Sequence, residues 1–535
     1  MFLVSCDLSD LNDAFDDFGV IVQLDAIETT NSILLLDSST GQLITEELEI
    51  QFTGPNADDV IDMYSDPVSS ARVRSGILNL NLSNDLSPTD DDPAVVTLVL
   101  RNPNYLTTTR TVTINETGFG SNVIRVMRRD AEVSGVYSAV DNSGVSDAQG
   151  SVSTPIGVQS SDNPDEAYAA RFSVSEGTVI ADASGNPLTG QISTELTYFS
   201  PDDPDALNAL PIDNLTLNGD ILVSAGLVTL SMRDQNNREA ATLSGDDGGA
   251  LLELTIDDNF EHPGSGEPLR AGDELIIAVL NEQNEIAGYE TITIGEAAGK
   301  QKANKQPGYE SAGLPISVPR IIFSGFSGPT GITPLGNMLI VVTAASIPTT
   351  MQVGINRNGN TGSILVNLRR TGFNRDVTIP AGNSSHTVPR IPCGTYTYTA
   401  ELPGGTVIGT FNPCDNSSIN ITLPPPPANL IDANVNVTLQ CRNAGDKLRV
   451  TDIPGSSVSF RKADGSGSWR TTRPTWNFDE DNNELIGGSA LVAGVESGED
   501  YTFSINYDDD QYTSTINMSG ISVEHTEIID DDVCN

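Results

Sequence analysis

The sequence predicts an all-β protein built from tandem Ig-like or transthyretin-like β-sandwich domains. Short runs of Val, Ile, Leu and Thr, many alternating with polar residues, are punctuated by Gly, Asn, Asp and Pro, and helical periodicity is nearly absent. A chain of 535 residues exceeds what one hydrophobic core serves, so several domains follow. A hydrophobic fraction of 38% suffices for small sandwiches and lies above that of a disordered chain.

The first domain is expected over 20–130, where Val20–Leu24, Ser32–Leu36, Leu48–Phe52, Ile77–Leu82, Val95–Leu100 and Thr111–Ile114 read as strands. The Asp, Ser and Gly of Asp37–Gln42 mark a hairpin turn. A polar stretch, 131–166, reads as a linker, followed by a second sandwich over 167–298 and a linker at 299–313 with a lysine cluster and Pro307-Gly308. A third sandwich is expected over 314–423. The run Pro424–Pro427 is a stiff spacer, and the fourth sandwich takes 428–535.

The formal charge is −46, which argues against nucleic acid, since phosphate binding needs clustered Lys and Arg. Acids spread along a chain confer solubility in salty surroundings, or they hold Ca²⁺. The acidic clusters are Asp90–Asp92, Asp257-Asp258, Asp508–Asp510 and Asp530–Asp532. Asp479, Asp481 and Asn483 come nearest to a helix-loop-helix calcium loop. Glu484 stands there in place of the turn glycine and Ala490 in place of the closing glutamate. No cofactor is otherwise expected.

Of five cysteines, the last four pair most simply as neighbours, Cys393–Cys414 and Cys441–Cys534, against the alternative of free thiols. Disulfides of these loop lengths stabilise by about 3–5 kcal/mol each and imply an oxidising compartment. Cys6 is left over. The opening Leu3-Val4-Ser5-Cys6 resembles a bacterial lipobox, although no basic or long apolar segment precedes it. The acidic stretch after it, Asp7 to Asp17, is similar to the tether of surface lipoproteins of Bacteroidota; residues 1–19 are then a lipobox remnant and tether. That resemblance implies lipidation at Cys6 and an outer-membrane or cell-surface location.

In the second block, Asp182–Leu188 forms a turn and Gly190–Phe199 a strand ending in an aromatic. Pro201–Pro204 and Ser224-Ala225-Gly226 follow. This order resembles the extracellular β-domain of cartilage intermediate layer protein over roughly 80 residues; the likeness implies a fold and carries no catalytic motif. Cys393–Thr399 and Asn104-Tyr105-Leu106 look like the transthyretin-like domains of carboxypeptidase regulatory regions.

Chemistry is sparse. His262, His386 and His525 fall in different blocks, away from any metal-ligand spacing. No Gly-x-Ser-x-Gly opens a helix, and Thr117–Ser121 lacks the lysine of a phosphate loop. Trp469, Arg470, Arg473 and Trp476 form the best recognition patch by composition, with core packing of the tryptophans as its alternative. The sequence therefore points to a non-enzymatic, exported surface lipoprotein. Its expected roles are adhesion, scaffolding or spacing, with an extracellular protein or glycan as partner and a lipid anchor to the membrane. The alternative is a lipoprotein that captures glycans or peptides for an outer-membrane transporter.

Overall fold

The computed structural model describes residues 27–529 except 63–64, 90–91, 161–169, 213–215, 218–219, 245–249, 256–259, 261, 263–268, 270–272, 282–283, 285, 294–319, 324–335, 345–350, 389–390, 403–404, 443–456, 480–483 and 508–509. Its architecture is all-β, in tandem sandwiches. Among the described residues no helix is long and apolar enough to cross a membrane.

In the first sandwich, one sheet orders Val60–Ile61, Ile77–Leu82, Thr29–Asp37 and Phe119–Val126. The other orders Ser70–Val73, Leu48–Thr53, Ala94–Arg101 and Thr108–Ile114. Leu48–Thr53 alternates buried and exposed residues, as a strand with one face on a core must. Ile33, Ile50, Leu80, Val96 and Leu98 meet between the sheets. The predicted hairpin turn forms as the carboxylate of Asp37 accepts the N–H groups of Ser39 and Thr40.

The third and fourth sandwiches repeat this path. Each opens with a strand that pairs parallel to its last one: Thr29–Asp37 with Phe119–Val126, Met351–Asn356 with Ser418–Thr422, and Leu430–Cys441 with Ser522–Ile529. The facing sheets are ordered Phe373–Ile379, Ile364–Arg370, Tyr396–Leu402, Gly405–Phe411 in the third domain. In the fourth they are Arg470–Thr472, Val458–Lys462, Asp500–Tyr507, Asp510–Asn517. Cys393 and Cys414 are disulfide-bonded, closing the third domain over a separation of 21 residues. Cys441 is also disulfide-bonded, whereas Cys534 and Cys6 lie outside the described residues.

The second domain departs from the expected boundaries. Residues expected as the linker 131–166 contain Val136–Ser146, which pairs along Gly190–Phe199, followed by Val152–Thr154 and Ile156–Gln159. A strand ladder is held by backbone hydrogen bonds and needs no apolar composition on its solvent face, so this polar stretch imitates a linker. Beyond residue 314, Arg320–Phe323 pairs with Ala250–Thr255, and Gly336–Ala344 lies between Asp220–Asp234 and Glu274–Leu280. The second domain thus extends to Ala344, through pairings too distant in sequence to show in local composition. The short helix Pro204–Ala209 starts at a proline and is capped by Asp203, whose side chain accepts from the N–H groups of Asp205 and Ala206.

The domains do not form an open string. Leu106 and Met127 of the first pack with Phe199, Ile212, Leu227 and Ala278 of the second. Thr109 donates its N–H to Pro211 O at 2.8 Å. The first and third domains share the ion pair Arg125–Asp376. The expected proline spacer lies against the third domain: the Asn360 side-chain amide donates to Pro424 O at 2.8 Å, and Pro426 sits beside Gly359. Thr361 in turn donates to Asp432 of the fourth domain at 2.5 Å.

The second and third domains meet at a hairpin tip. Gly372 N–H donates to Pro201 O at 2.8 Å, and Gly372 O accepts from Ser224 N at 3.0 Å. Its φ is +73°, and a Cβ there would lie 2.1 Å from Ser224 O. Gly372→Ala is therefore expected to weaken this junction by about 2–4 kcal/mol. Small-angle scattering should show a larger radius of gyration while the disulfide-closed third domain retains its own melting transition. An unchanged radius would show that the tip does not hold the junction.

Candidate functional site

Two features join the domains and bring polar side chains together: a seam between the first and fourth domains, and a cleft among the first three. The seam begins in Thr29–Asp37, buried at all nine positions. Ile33 and Leu35 face the domain's own core, whereas Leu34, Leu36, Leu43 and Ile77 form a second cluster on the opposite face. Trp469 of the fourth domain covers that cluster and is 9% exposed. The Arg461 guanidinium stacks 4.7 Å from the Trp469 ring and donates to Gln42. Ser32 and Ser457 share a hydrogen bond at 2.6 Å, and Ser457 donates onward to Asn79 at 2.8 Å.

The four residues expected as one recognition patch are consequently split. Trp469 closes the seam, and Arg473 crosses it to donate to Ile27 O at 2.9 Å. Arg470 points into the fourth domain, donating to Ala493 O and Gly494 O and stacking 4.6 Å from Phe460. Burial pushes the Arg470 pKa down from its ordinary value. Trp476 lies half-buried over Gly488, where a Cβ would come within 2.7 Å of its ring. Successive strand residues face opposite ways, so residues close in sequence serve opposite faces.

The cleft has a volume of about 1070 Å³. Its charged walls carry Arg110, Arg125 and Arg375 against Glu116 and Asp376, with His386 nearby. In the whole chain 73 acids face 27 basic residues, so the cleft reverses the balance. Seven side-chain amides line it. Asn122 donates to Asn31 Oδ1 at 2.9 Å and Asn374 donates to Asn208 Oδ1 at 2.5 Å. The buried Asn115 Oδ1 has no hydrogen-bond partner.

The expected calcium positions fall mostly outside the described residues, including Asp481, Asn483, Asp90, Asp91, Asp257, Asp258, Asp508, Asp509 and Asp530–Asp532. Asp479 ends the strand Thr475–Asp479. No group of three or more His, Cys, Asp or Glu suited to a metal occurs among the described residues. Several acids instead build turns. Asp182 accepts from the N–H groups of Ser184 and Asn186, and Asp234 from those of Asn236 and Arg238, each at 2.9 or 3.0 Å. Arg238 Nε also donates to Asp234 at 2.9 Å, and the two side chains form an ion pair.

A cluster not anticipated from sequence joins Ser514, His525 and Glu527. Both the serine hydroxyl and the glutamate carboxylate lie 2.9 Å from the same imidazole nitrogen, Nε2. A catalytic triad places its acid on the nitrogen opposite the serine, so this geometry does not set up a proton relay. His525 and Glu527 are two residues apart on one strand, a spacing that shares a face.

No family model and no curated protein matches the sequence. Among solved structures, the Bacillus anthracis TIE protein shares 8% identity over 75% of this chain and 76% of that one, with a TM-score of 0.14. The pilus adhesin SpaC of Lactobacillus rhamnosus GG shares 9% over 74% of this chain and 55% of that one, TM-score 0.13. The T6 backbone pilin of Streptococcus pyogenes shares 11% over 93% and 97%, TM-score 0.13. Likeness at this level carries no functional argument.

Two outcomes follow from the geometry. Trp469→Ala should cost the seam about 3–5 kcal/mol, with separation of the first and fourth domains visible by small-angle scattering. Trp476→Ala should leave them docked, and equal behaviour of the two variants would remove the seam's dependence on Trp469. The second outcome concerns acid. Burial alone pushes the Asp234 carboxyl up, but the Arg238 and Asn236 hydrogen bonds outweigh it and hold the pKa below the ordinary value. The Asn186 N–H foremost lowers that of Asp182. A carboxylate depressed in the folded state stabilises above its unfolded pKa of about 3.9 and loses that contribution as pH falls further. Melting of the second domain should hold steady from pH 7 to 5 and drop below about pH 4. Asp234→Asn should cost about 1–3 kcal/mol at pH 7 and flatten part of the acid drop; an unaltered acid limb would refute it.

Proposed function

We propose that this chain is a non-catalytic cell-surface protein acting in adhesion or scaffolding, held to an outer membrane through lipid on Cys6. The observation that carries this reading is the fastening of the four sandwiches. The first packs against each of the other three, through an apolar cluster, an ion pair and the Trp469 seam. Domains fixed in this way present their surfaces in one orientation, which lowers the ordering cost of binding a partner. End-to-end spacing fits less well, because the fourth domain folds back on the first. An extracellular protein or glycan is the partner class this reading takes.

The cleft favours a second reading, capture of a peptide or glycan for delivery to an outer-membrane transporter. Pockets at domain junctions with convergent polar groups are common ligand sites.

For the anchor, Cys6→Ser expressed from its own gene in its native host should fold as before and move from the membrane fraction to the soluble fraction. Unchanged membrane fractionation would remove Cys6 as the attachment point.

A further inference from the structure

We infer that the cleft takes an extended acidic peptide, which adds as a β-strand to the open sheet edges that line it. Four strands contribute to its walls: Thr108–Ile114 and Phe119–Val126 from the first domain, Phe373–Ile379 and Ser385–Val388 from the third. Each is the outermost strand of its sheet. The outer side of an edge strand carries backbone donors and acceptors that no neighbouring strand satisfies, the template for strand addition. On Thr108–Ile114 part of that side is taken, since Thr109 N–H donates to Pro211 O. Natural edges are commonly blocked by charged side chains, lysine above all, and by proline. These four strands contain no lysine or proline, and three carry an arginine. The edges of two sandwiches face one another here, so an inserted segment meets backbone on more than one side.

Charge selects the peptide. The four strands hold Arg110, Arg125 and Arg375 with one acid, Asp376, itself paired with Arg125. Arg110 also donates to Thr109 O and Leu210 O, and Glu116 is the second acid of the cleft wall. At physiological ionic strength the Debye length is about 8 Å, so the chain's remote acids are screened while arginines in the wall are felt. Side chains along a bound strand alternate, which places acids at every second position toward these arginines. The volume, about 1070 Å³, exceeds the roughly 300–1,000 Å³ of small-molecule pockets and suits a chain segment. Side-chain amides such as Asn122 and Asn374 supply further donors and acceptors. This inference rests on the capture reading and names its ligand class.

The test selects peptides of about eight residues, an ordinary strand length, from a displayed random library against the full chain. The expected pool carries Asp or Glu at alternating positions. A selected peptide should lose about tenfold or more in affinity when its backbone is N-methylated, because methylation removes the strand's donors. Arg110→Gln and Arg375→Gln should each weaken it by about tenfold, with thermal melts by circular dichroism confirming that the variants fold. A pool enriched in lysine, or indifference to N-methylation, would overturn the inference. Binding of oligogalacturonate that is lost in both arginine variants, without any peptide enrichment, would overturn the peptide and leave capture standing. Enrichment of neither ligand over the Arg110→Gln/Arg375→Gln double variant would overturn both.

Discussion

A strand apolar on both faces cannot stand at the surface of an isolated sandwich, and Thr29–Asp37 is such a strand. Its neighbours in sequence, Ile33 to Leu36, serve two clusters: alternate residues enter the domain's own core and the others lie beneath Trp469. Full burial of a Leu side chain stabilises by about 1.5–3 kcal/mol, so Leu34 and Leu36 alone would make exposure of this face costly. Covering it brings the fourth domain onto the first. With the chain already docked through the second and third domains, that contact turns four serial units into one block.

The block explains where polar chemistry collects. Each sandwich leaves sheet edges open, and the mutual docking of the first three brings several of these edges to one cleft. The arginines there sit in strands whose sequences are otherwise ordinary, Thr-Arg-Thr in one and Asn-Arg-Asp in another. Their meaning comes from the strands they face. The Ser224-Ala225-Gly226 segment behaves likewise. Read alone it marks a strand. In the fold, the ladder shifts register between Ser224 and Gly226, and Ser224 N–H receives the hairpin tip of the third domain.

The acids also divide by role. Asp37, Asp182 and Asp234 accept backbone N–H groups and shape hairpin turns, a structural use that needs one carboxylate per turn and no metal. Such turns use some of the acids that are spread among the strands.

The sequence by itself determined the all-β class, the hairpin at Asp37, five strands of the first sandwich and the Cys393–Cys414 pairing, because alternation, turn chemistry and loop closure are local or nearly so. The expected strand Val20–Leu24 lies outside the described residues, and Ser70–Val73 and Phe119–Val126 are not among the expected strands. It also held a signal for the seam: the unbroken apolar run Ile33-Leu34-Leu35-Leu36 marks a strand buried on both faces. The second domain's limits were not legible, since Val136–Ser146 is polar and Gly336–Ala344 finds one partner more than about a hundred residues away and the other about sixty. Nor was the fate of the tryptophan–arginine group, whose members point to different domains. Tertiary structure alone decided which faces met across domains and which edges stayed open, because those depend on contacts between surfaces far apart in the chain, where composition carries no register.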